Sequence, residues 1–315
     1  MTIAIIDMGT NTFNILVANT SGYVIHESKL PVKLGQGGFK QGQLTKQAMQ
    51  RAFGAIDKHI STARRLGATK FFAFATSAVR DASNREFFAN EVKSKFNIDV
   101  EIIDGKREAE LIWKGVNAAL NLGNTPTLVV DIGGGSNETI IANGTEIFWL
   151  QSFNLGVTRI AEQFPISDPI KPEELNTIEG FMLENIKPLL SQASIFNLQK
   201  LAGSSGAFDS FRKILASKNI IASTDRPWAE IPVSDYMELH RFFVTSTHNQ
   251  RLALPGLDPI RVDLIVPASI FVNVLVQKLN IKKIIQSDYT LKEGFYEELR
   301  TRSNGQFGNT SRRNC

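Results

Sequence analysis

The sequence predicts an α/β protein of two similar lobes, each built on a mixed sheet. Three observations carry this. Apolar strands and amphipathic helices alternate along 315 residues, a length comfortable for two domains. An apolar strand runs into Asp-x-Gly at Ile3 to Thr12 (IAIIDMGTNT) and again at Leu128 to Glu138 (LVVDIGGGSNE). A second apolar strand follows each turn at once, Phe13 to Ala18 and Thr139 to Ala142. The repetition is of topology and not of a short period, which excludes a solenoid.

The elements follow in order. After the first hairpin, Ala48, Met49, Ala52, Phe53, Ile56, Ile60 and Ala63 keep helical spacing between Thr45 as N-cap and Gly67 as stop. A buried strand, Lys70 to Ala75, ends in Thr76-Ser77-Ala78-Val79-Arg80. Its Phe71, Phe72 and Phe74 read as core, not as a base-stacking platform. Asn84 stands as N-cap before a helix from Arg85 to Phe96, and strand Val100 to Ile103 leads through Asp104-Gly105 into a helix from Lys106 to Leu122. The turn residues Asn121 to Pro126 mark a domain boundary. The second half then repeats the theme: hairpin Leu128 to Ala142, strand Glu146 to Phe153, and a helix from Pro172 to about Leu190. Strand Lys200 to Ala202 opens into Gly203-Ser204-Ser205-Gly206 and a helix over Ala207 to Leu215. Helices near Asp235 to Thr245 and Asp258 to Leu279, strand Lys282 to Gln286 and a last helix from Lys292 complete the chain. The expected domains are 1–122, 123–300 and a disordered tail over 301–315, rich in Ser, Asn, Gly and Arg.

Composition bounds the class. A hydrophobic share of 43% and a charged share of 21% are those of a soluble globular protein. The net charge of +4 owes three of its units to Arg302, Arg312 and Arg313, so the body is nearly neutral and no DNA partner is expected. No basic leader precedes an apolar run, and the apolar stretch Leu264 to Val276 is too short to span a bilayer. The single cysteine, Cys315, excludes an intrachain disulfide, and a cytoplasmic setting without membrane attachment is expected. The four histidines (His26, His59, His240, His248) show no metal-ligand spacing.

The paired turns carry the chemistry. Glycines let consecutive N–H groups aim at one anion. An aspartate at the strand end repels a phosphate, so Asp7 and Asp131 read as holding a hydrated Mg²⁺ beside one. A lone strand-Asp-x-Gly turn often only caps a strand; two at matched positions, the second carrying Gly133-Gly134-Gly135-Ser136, favour phosphate binding. No Gly-x-x-x-x-Gly-Lys-Ser/Thr occurs, and the triglycine precedes a strand, unlike a dinucleotide fingerprint.

The turns resemble the phosphate loops of the acetate kinase, sugar kinase, heat-shock chaperone and actin superfamily. Within it the chain resembles the exopolyphosphatase and guanosine pentaphosphate phosphohydrolase family, from Ile3 to about Leu299. The resemblance is carried by Asp7-Met8-Gly9-Thr10-Asn11-Thr12-Phe13, Thr76 to Ala82 (TSAVRDA), Gly105 to Ile112 (GKREAELI), Asp131 to Glu138 (DIGGGSNE), Leu254 to Leu257 (LPGL) and Ser287 to Gly294 (SDYTLKEG). It implies two actin-like (ribonuclease H-like) lobes around a central cleft, and a Mg²⁺-dependent hydrolase releasing terminal phosphate from inorganic polyphosphate or guanosine pentaphosphate. The sequence leaves the choice of substrate, the chain-length preference and the oligomeric state open, with a homodimer common among relatives.

The resemblance also implies roles. Glu108 matches the general base, Glu138 the carboxylate that orients water or metal, and Asp7 and Asp131 the metal-side aspartates. Arg80 matches an arginine near the phosphate chain; the residues alone read equally well as a pair with Asp81 or Glu86. Phosphate is expected on Gly9, Thr10 and Asn11, on Gly133 to Ser136, and on Gly203, Ser204, Ser205 and Gly206, which open a helix. Glu108 lies near a helix start on a stripe with Ile112 and Gly115, where a carboxylate is equally a favourable partner of the macrodipole. Arg107, Asn137, Ala207, Thr290 and Lys292 depart from the family pattern, Arg107 adding positive charge beside the expected base. These departures keep alive a catalytically weak sensor of guanosine tetraphosphate or other polyanions. A small-molecule kinase of the same superfamily is the other alternative.

Overall fold

A computed structural model describes residues 1–308. The chain forms two compact units, one of Met1–Ala118 together with the chain from Tyr289 onward, the other of Ala119–Asp288.

In the first unit, β1 (Thr2–Met8), β2 (Thr12–Asn19) and β3 (Val24–Pro31) form an antiparallel meander. Helix α1 (Lys46–Arg65) crosses to β4 (Ala68–Ala75), parallel to β1. The short α2 (Ser77–Arg80) and α3 (Arg85–Phe96) lead to β5 (Val100–Ile102), then α4 (Gly105–Leu120). The sheet order is β3-β2-β1-β4-β5. Strand alternation sends Ala4, Ile6 and Met8 to one core face, against Ala48, Ala52, Ile56 and Ile60 of α1. The Thr45 hydroxyl caps α1 by accepting from the Ala48 N–H at 3.1 Å. Asn84 does not cap α3 with its side chain; its amide instead bridges the backbone N–H and C=O of Leu44, each at 2.9 Å.

The second unit contains β6 (Thr127–Ile132), β7 (Asn137–Ala142), β8 (Ile147–Phe153), α5 (Val157–Gln163), α6 (Pro172–Asn185) and α7 (Lys187–Ala193). It continues with β9 (Lys200–Ser204), α8 (Ser205–Ser217), β10 (Trp228–Ile231), α9 (Val233–Thr245), α10 (His248–Leu252), α11 (Ile265–Leu279) and β11 (Lys283–Ser287). Its sheet order, β10-β11-β9-β6-β7-β8, repeats the first: an antiparallel meander, then two parallel strands, here with β10 added antiparallel on the edge. Helix α11 is buried almost all round, from Ile265 to Val276, which is why its sequence lacks an amphipathic stripe.

The last helix, α12 (Leu291–Gly308), belongs to the first unit, whereas the boundaries read from the sequence carried the chain to residue 300 with the second. Phe295 packs edge-on against Phe72 and Phe74, at ring separations of 5.0 and 4.6 Å, and the Tyr296 hydroxyl donates to the Asn19 carbonyl at 2.7 Å. Residues 301–308 continue this helix, and the remainder of the expected tail, 309–315, lies outside the described residues. Among the described residues no helix is long and apolar enough to cross a membrane.

Candidate active site

In both units the candidate residues gather where parallel strands end. Asp7 and Gly9 close β1, Arg80 follows β4 and Glu108 follows β5; in the second unit Asp131 and Gly133 close β6 and Ser204 closes β9. Ligands of open α/β sheets bind beyond this carboxyl edge.

The two Asp-x-Gly turns are built alike. The Gly9 N–H donates to the Thr12 carbonyl at 3.1 Å, and the Gly133 N–H to the Ser136 carbonyl at 3.0 Å. A Cβ on Gly9 or Gly133 would stand 2.9 or 2.8 Å from that same oxygen, so a side chain would force the turn open. Those two N–H groups are therefore committed to the turn, which corrects their place in the expected phosphate nest. The amides of Thr10, Gly134 and Gly135 donate to no protein acceptor among the described residues, and these are the donors the turns offer to an anion.

The triglycine is held from behind by α5. The carbonyl of Gly133 accepts from the Val157 N–H at 3.0 Å, and that of Gly134 from the Thr158 and Arg159 N–H groups at 2.9 and 3.2 Å. Arg159 Nε donates to the Gly135 carbonyl at 2.9 Å. Nothing in the linear sequence ties residue 159 to this loop, and the sequence reading missed it.

Strand register places the carboxylates. Asp7 lies opposite Asn14 on β2 and accepts from its amide nitrogen at 2.8 Å. Asp131 occupies the matching place in the second unit, and opposite it on β7 stands Glu138. Both are buried, at 6% and 1% exposure. Ser152, opposite Glu138 on β8, donates its hydroxyl to Glu138 Oε1 at 2.7 Å. Ser204 and Ser205 donate theirs to Asp131, each at 2.7 Å.

The expected Gly203 to Gly206 phosphate turn is divided between a strand end and a helix start. Gly203 and Ser204 belong to β9, Ser205 and Gly206 to α8, and both serine hydroxyls serve Asp131. Gly203 makes room for the Phe208 ring, which a Cβ there would meet at 2.2 Å.

Two buried carboxylates directly opposite on paired strands repel each other, and a cation relieves them. The donors are hard oxygens, which fits Mg²⁺. Among the described residues no three His, Cys, Asp or Glu side chains converge, so the fit is to an ion that keeps several waters, the usual habit of Mg²⁺.

In the first unit, Glu108 is buried on the first turn of α4, and its Oε2 accepts from Arg80 Nη1 at 2.7 Å. The same Nη1 donates to the Ile103 carbonyl at 3.2 Å, while Arg80 Nε stands 3.7 Å from Asp81. Arg80 is thus seated on the expected base itself. Arg107 turns away from the neighbouring Glu108: its guanidinium forks onto both oxygens of Glu298 in α12, at 2.8 and 2.9 Å. It therefore adds no loose cation beside Glu108. Thr290 receives its reason as well, since its N–H donates to Glu293 at 2.8 Å across the first turn of α12. Lys292 pairs with Glu27 at 2.9 Å and with Glu293. Asn137 is fully buried and donates to the Leu155 carbonyl at 3.0 Å. Ala207 is buried in α8.

Two matched α/β sheets, each ending a strand in Asp-x-Gly, define a protein of the actin-like ATPase superfamily. The chain belongs to the Ppx/GppA phosphatase family, whose profile matches residues 16–302. It is accordingly a phosphoanhydride hydrolase by family. An exopolyphosphatase structure from Cytophaga hutchinsonii superposes with a TM-score of 0.92 at 33% identity, covering 96% of this chain and 98% of that one. Exopolyphosphatase 2 of Mycobacterium tuberculosis is 26% identical over 308 residues, covering 93% of this chain and 96% of the relative. Guanosine-5'-triphosphate,3'-diphosphate pyrophosphatase of Photobacterium profundum is also 26% identical, over 94% of this chain but 59% of the relative.

Proposed function

We propose that the chain releases terminal orthophosphate from inorganic polyphosphate, with guanosine pentaphosphate as the alternative substrate. The observation that carries this reading is the second turn: unused amides of Gly134 and Gly135 beside the buried carboxylates Asp131 and Glu138. Spare amides suit phosphate oxygens, and neighbouring carboxylates suit the cation such a polyanion brings.

Glu108 takes a proton from a water molecule whose oxygen attacks the terminal phosphorus. The anhydride bond breaks, its electron pair leaving on the bridging oxygen of the shortened chain. Arg80 holds Glu108 in place, and the Thr10, Gly134 and Gly135 amides orient phosphate oxygens. Asp131 and Glu138 would hold Mg²⁺, with Asp7 as the matching carboxylate of the first turn, and the ion would supply charge neutralisation. Such catalysis is mostly positioning and electrostatics.

The test is phosphate release from long-chain polyphosphate and from guanosine pentaphosphate, with Mg²⁺, by wild type and Glu108→Gln. Loss of a positioned base lowers kcat by about 10²- to 10⁴-fold. Unchanged release by a folded Glu108→Gln protein would remove Glu108 from the reaction. A binding-only sensor draws no support from Arg107, whose charge is committed to Glu298.

A further inference from the structure

The second Asp-x-Gly turn is gripped from behind at each of its glycines. The carbonyl of Gly133 accepts from the Val157 N–H, and that of Gly134 from the Thr158 and Arg159 N–H groups. The next carbonyl, that of Gly135, accepts from Arg159 Nε at 2.9 Å. The loop lies directly on α5: a Cβ on Gly156 would stand 2.4 Å from both the carbonyl carbon and the carbonyl oxygen of Gly134. In a planar trans peptide the N–H points away from the C=O. Holding these carbonyls toward α5 therefore turns the N–H groups of the same peptides, those of Gly134, Gly135 and Ser136, to the opposite side of the loop. The amides of Gly134 and Gly135 are the donors that this side offers to an anion.

The first turn is held in the same way by different donors. Thr10 takes the place of Gly134, and its carbonyl accepts from the Gly35 N–H at 3.1 Å. Asn11 takes the place of Gly135, and its carbonyl accepts from the Val32 and Lys33 N–H groups, both at 2.9 Å. Those donors are backbone. Behind Gly135 the donor belongs to a half-buried side chain, so a substitution can release that one peptide and leave the backbone hydrogen bonds of α5 in place. A guanidinium N–H on a carbonyl is also charge-assisted, and it polarises the peptide it meets, which strengthens the N–H on the far side.

We propose that Arg159 is a positioning residue for phosphate binding: its Nε fixes the Gly135–Ser136 peptide and so keeps the amides of the triglycine turn aimed at a phosphate group of the substrate, while the guanidinium itself stays behind the loop. The assignment rests on the hydrolase reading above, in which this turn meets the phosphate chain, and its test separates the two. The role requires a donor at one atom and not a positive charge. Glutamine carries its Nε2 at the same place along the side chain as the arginine Nε, and it is neutral. Lysine keeps the charge but has a methylene at that place.

Binding of inorganic tripolyphosphate is measured by calorimetry on wild type, Arg159→Gln, Arg159→Lys and Arg159→Met, alongside phosphate-release kinetics and urea unfolding. Donors misplaced by up to an ångström cost as much as about 100-fold. Arg159→Met and Arg159→Lys are expected to lose about 10-fold in tripolyphosphate affinity and about 10- to 100-fold in kcat/KM, the larger loss falling on turnover because the amides meet charge that grows in the transition state. Arg159→Gln is expected to stay within about threefold of wild type in both. The opposite order, with Arg159→Lys close to wild type and Arg159→Gln reduced as far as Arg159→Met, would make Arg159 a direct charge contact of the substrate and overturn the positioning role. Unchanged binding and turnover in folded Arg159→Met, with only the urea midpoint lowered, would leave Arg159 a structural residue and overturn it too, as would no binding by wild type. If wild type and Arg159→Gln bind tripolyphosphate, Arg159→Lys and Arg159→Met bind it weakly, and none releases phosphate, the hydrolase reading fails and Arg159 stands. Turnover lost in Glu108→Gln but unchanged in Arg159→Met, KM included, keeps the hydrolase and removes Arg159 from phosphate positioning. Should Arg159→Met fail to fold, the contrast between Arg159→Gln and Arg159→Lys decides alone.

Discussion

A single residue separates the chemistry of the two matched turns. Opposite Asp7 the neighbouring strand carries Asn14, which satisfies the carboxylate with an amide; opposite Asp131 it carries Glu138, which adds a second charge. Removing that charge should relieve a repulsion of about 1 kcal/mol. Glu138→Gln is therefore expected to melt about 2–4 °C higher than wild type without Mg²⁺. Adding Mg²⁺ should raise the wild-type midpoint and leave the variant where it was; a variant that still responds to Mg²⁺ would take Glu138 out of the metal site. The glycines of the two turns make a matched pair of controls. Gly9→Ala and Gly133→Ala each press a Cβ against the carbonyl that closes the turn, and each should cost roughly 1–3 kcal/mol in urea unfolding. At this scale the sequence was legible where one short segment holds the whole pattern, as in the two turns and in Glu108 beside its helix start. It was silent on partners. That Ser204 and Ser205 serve Asp131 depends on β9 lying beside β6, and no local pattern encodes that pairing.

Among the elements, the crossing of α4 and α12 braces the helix that carries Glu108. A Cβ on Gly115 would fall 2.1 Å from the Thr290 carbonyl oxygen, and one on Gly294 would fall 1.8 Å from that of Leu111. The two helix backbones touch, and only glycines permit it. Gly115→Ala or Gly294→Ala should destabilise by about 1–3 kcal/mol or more, since backbone and not a flexible side chain must give way. The same crossing carries an ion cluster, with Glu298 of α12 meeting Arg107, Lys114 and Arg302. The hydrogen bonds from Arg107 and Lys114, working against burial, hold the Glu298 carboxyl down at about 2 from an ordinary 4.5. A carboxylate depressed in the folded state stabilises fully above its unfolded value and loses that contribution as pH falls from about 4.5 to 2. The shift corresponds to up to about 3 kcal/mol. Urea midpoints of wild type and Glu298→Gln should differ at pH 6 and converge toward pH 3; a constant gap would refute the linkage. Helix α12 was foreseen only at its start. Beyond residue 300 its sequence is polar; the helix is anchored by the tertiary contacts of Phe295 and Tyr296, and an i,i+4 salt bridge from Arg302 back to Glu298 supports its continuation. Strand β10 and helix α10 were missed because each is short, with four and five residues, too few for a period to declare itself.

For the whole molecule, the repeated sheet order shows why the fold class was readable. Both halves alternate strand and helix, and the second sheet differs from the first by the edge strand β10 alone. The family follows from motifs that, apart from Leu254 to Leu257 after α10, sit at or just beyond a strand end, so order along the chain was enough to identify it. Acid sensitivity should have a second, separate window. His240 is buried on α9, its Nδ1 3.3 Å from the Ser269 hydroxyl on α11, and burial lowers it to about 4 from 6.5. A histidine kept neutral by burial stabilises fully above 6.5, and the contribution is lost between 6.5 and 4 as the unfolded chain takes up the proton first. Wild-type stability should thus decline in two stages, His240 governing the milder one and Glu298 the more acid one. His240→Gln should flatten the first stage alone, as read by unfolding midpoints across pH 4 to 7.

The return of α12 to the first unit has a consequence in time. During synthesis the face of the first sheet at Phe72 and Phe74 emerges early, but Phe295, which covers it, is made only after the whole of the second unit. At ordinary translation speeds that delay is roughly ten to forty-five seconds. The second unit, unbroken in sequence, can complete its core first, while the half bearing Glu108 waits on the ribosome with an aromatic face bare. A nascent chain arrested before Tyr289 should therefore be the form that chaperones hold.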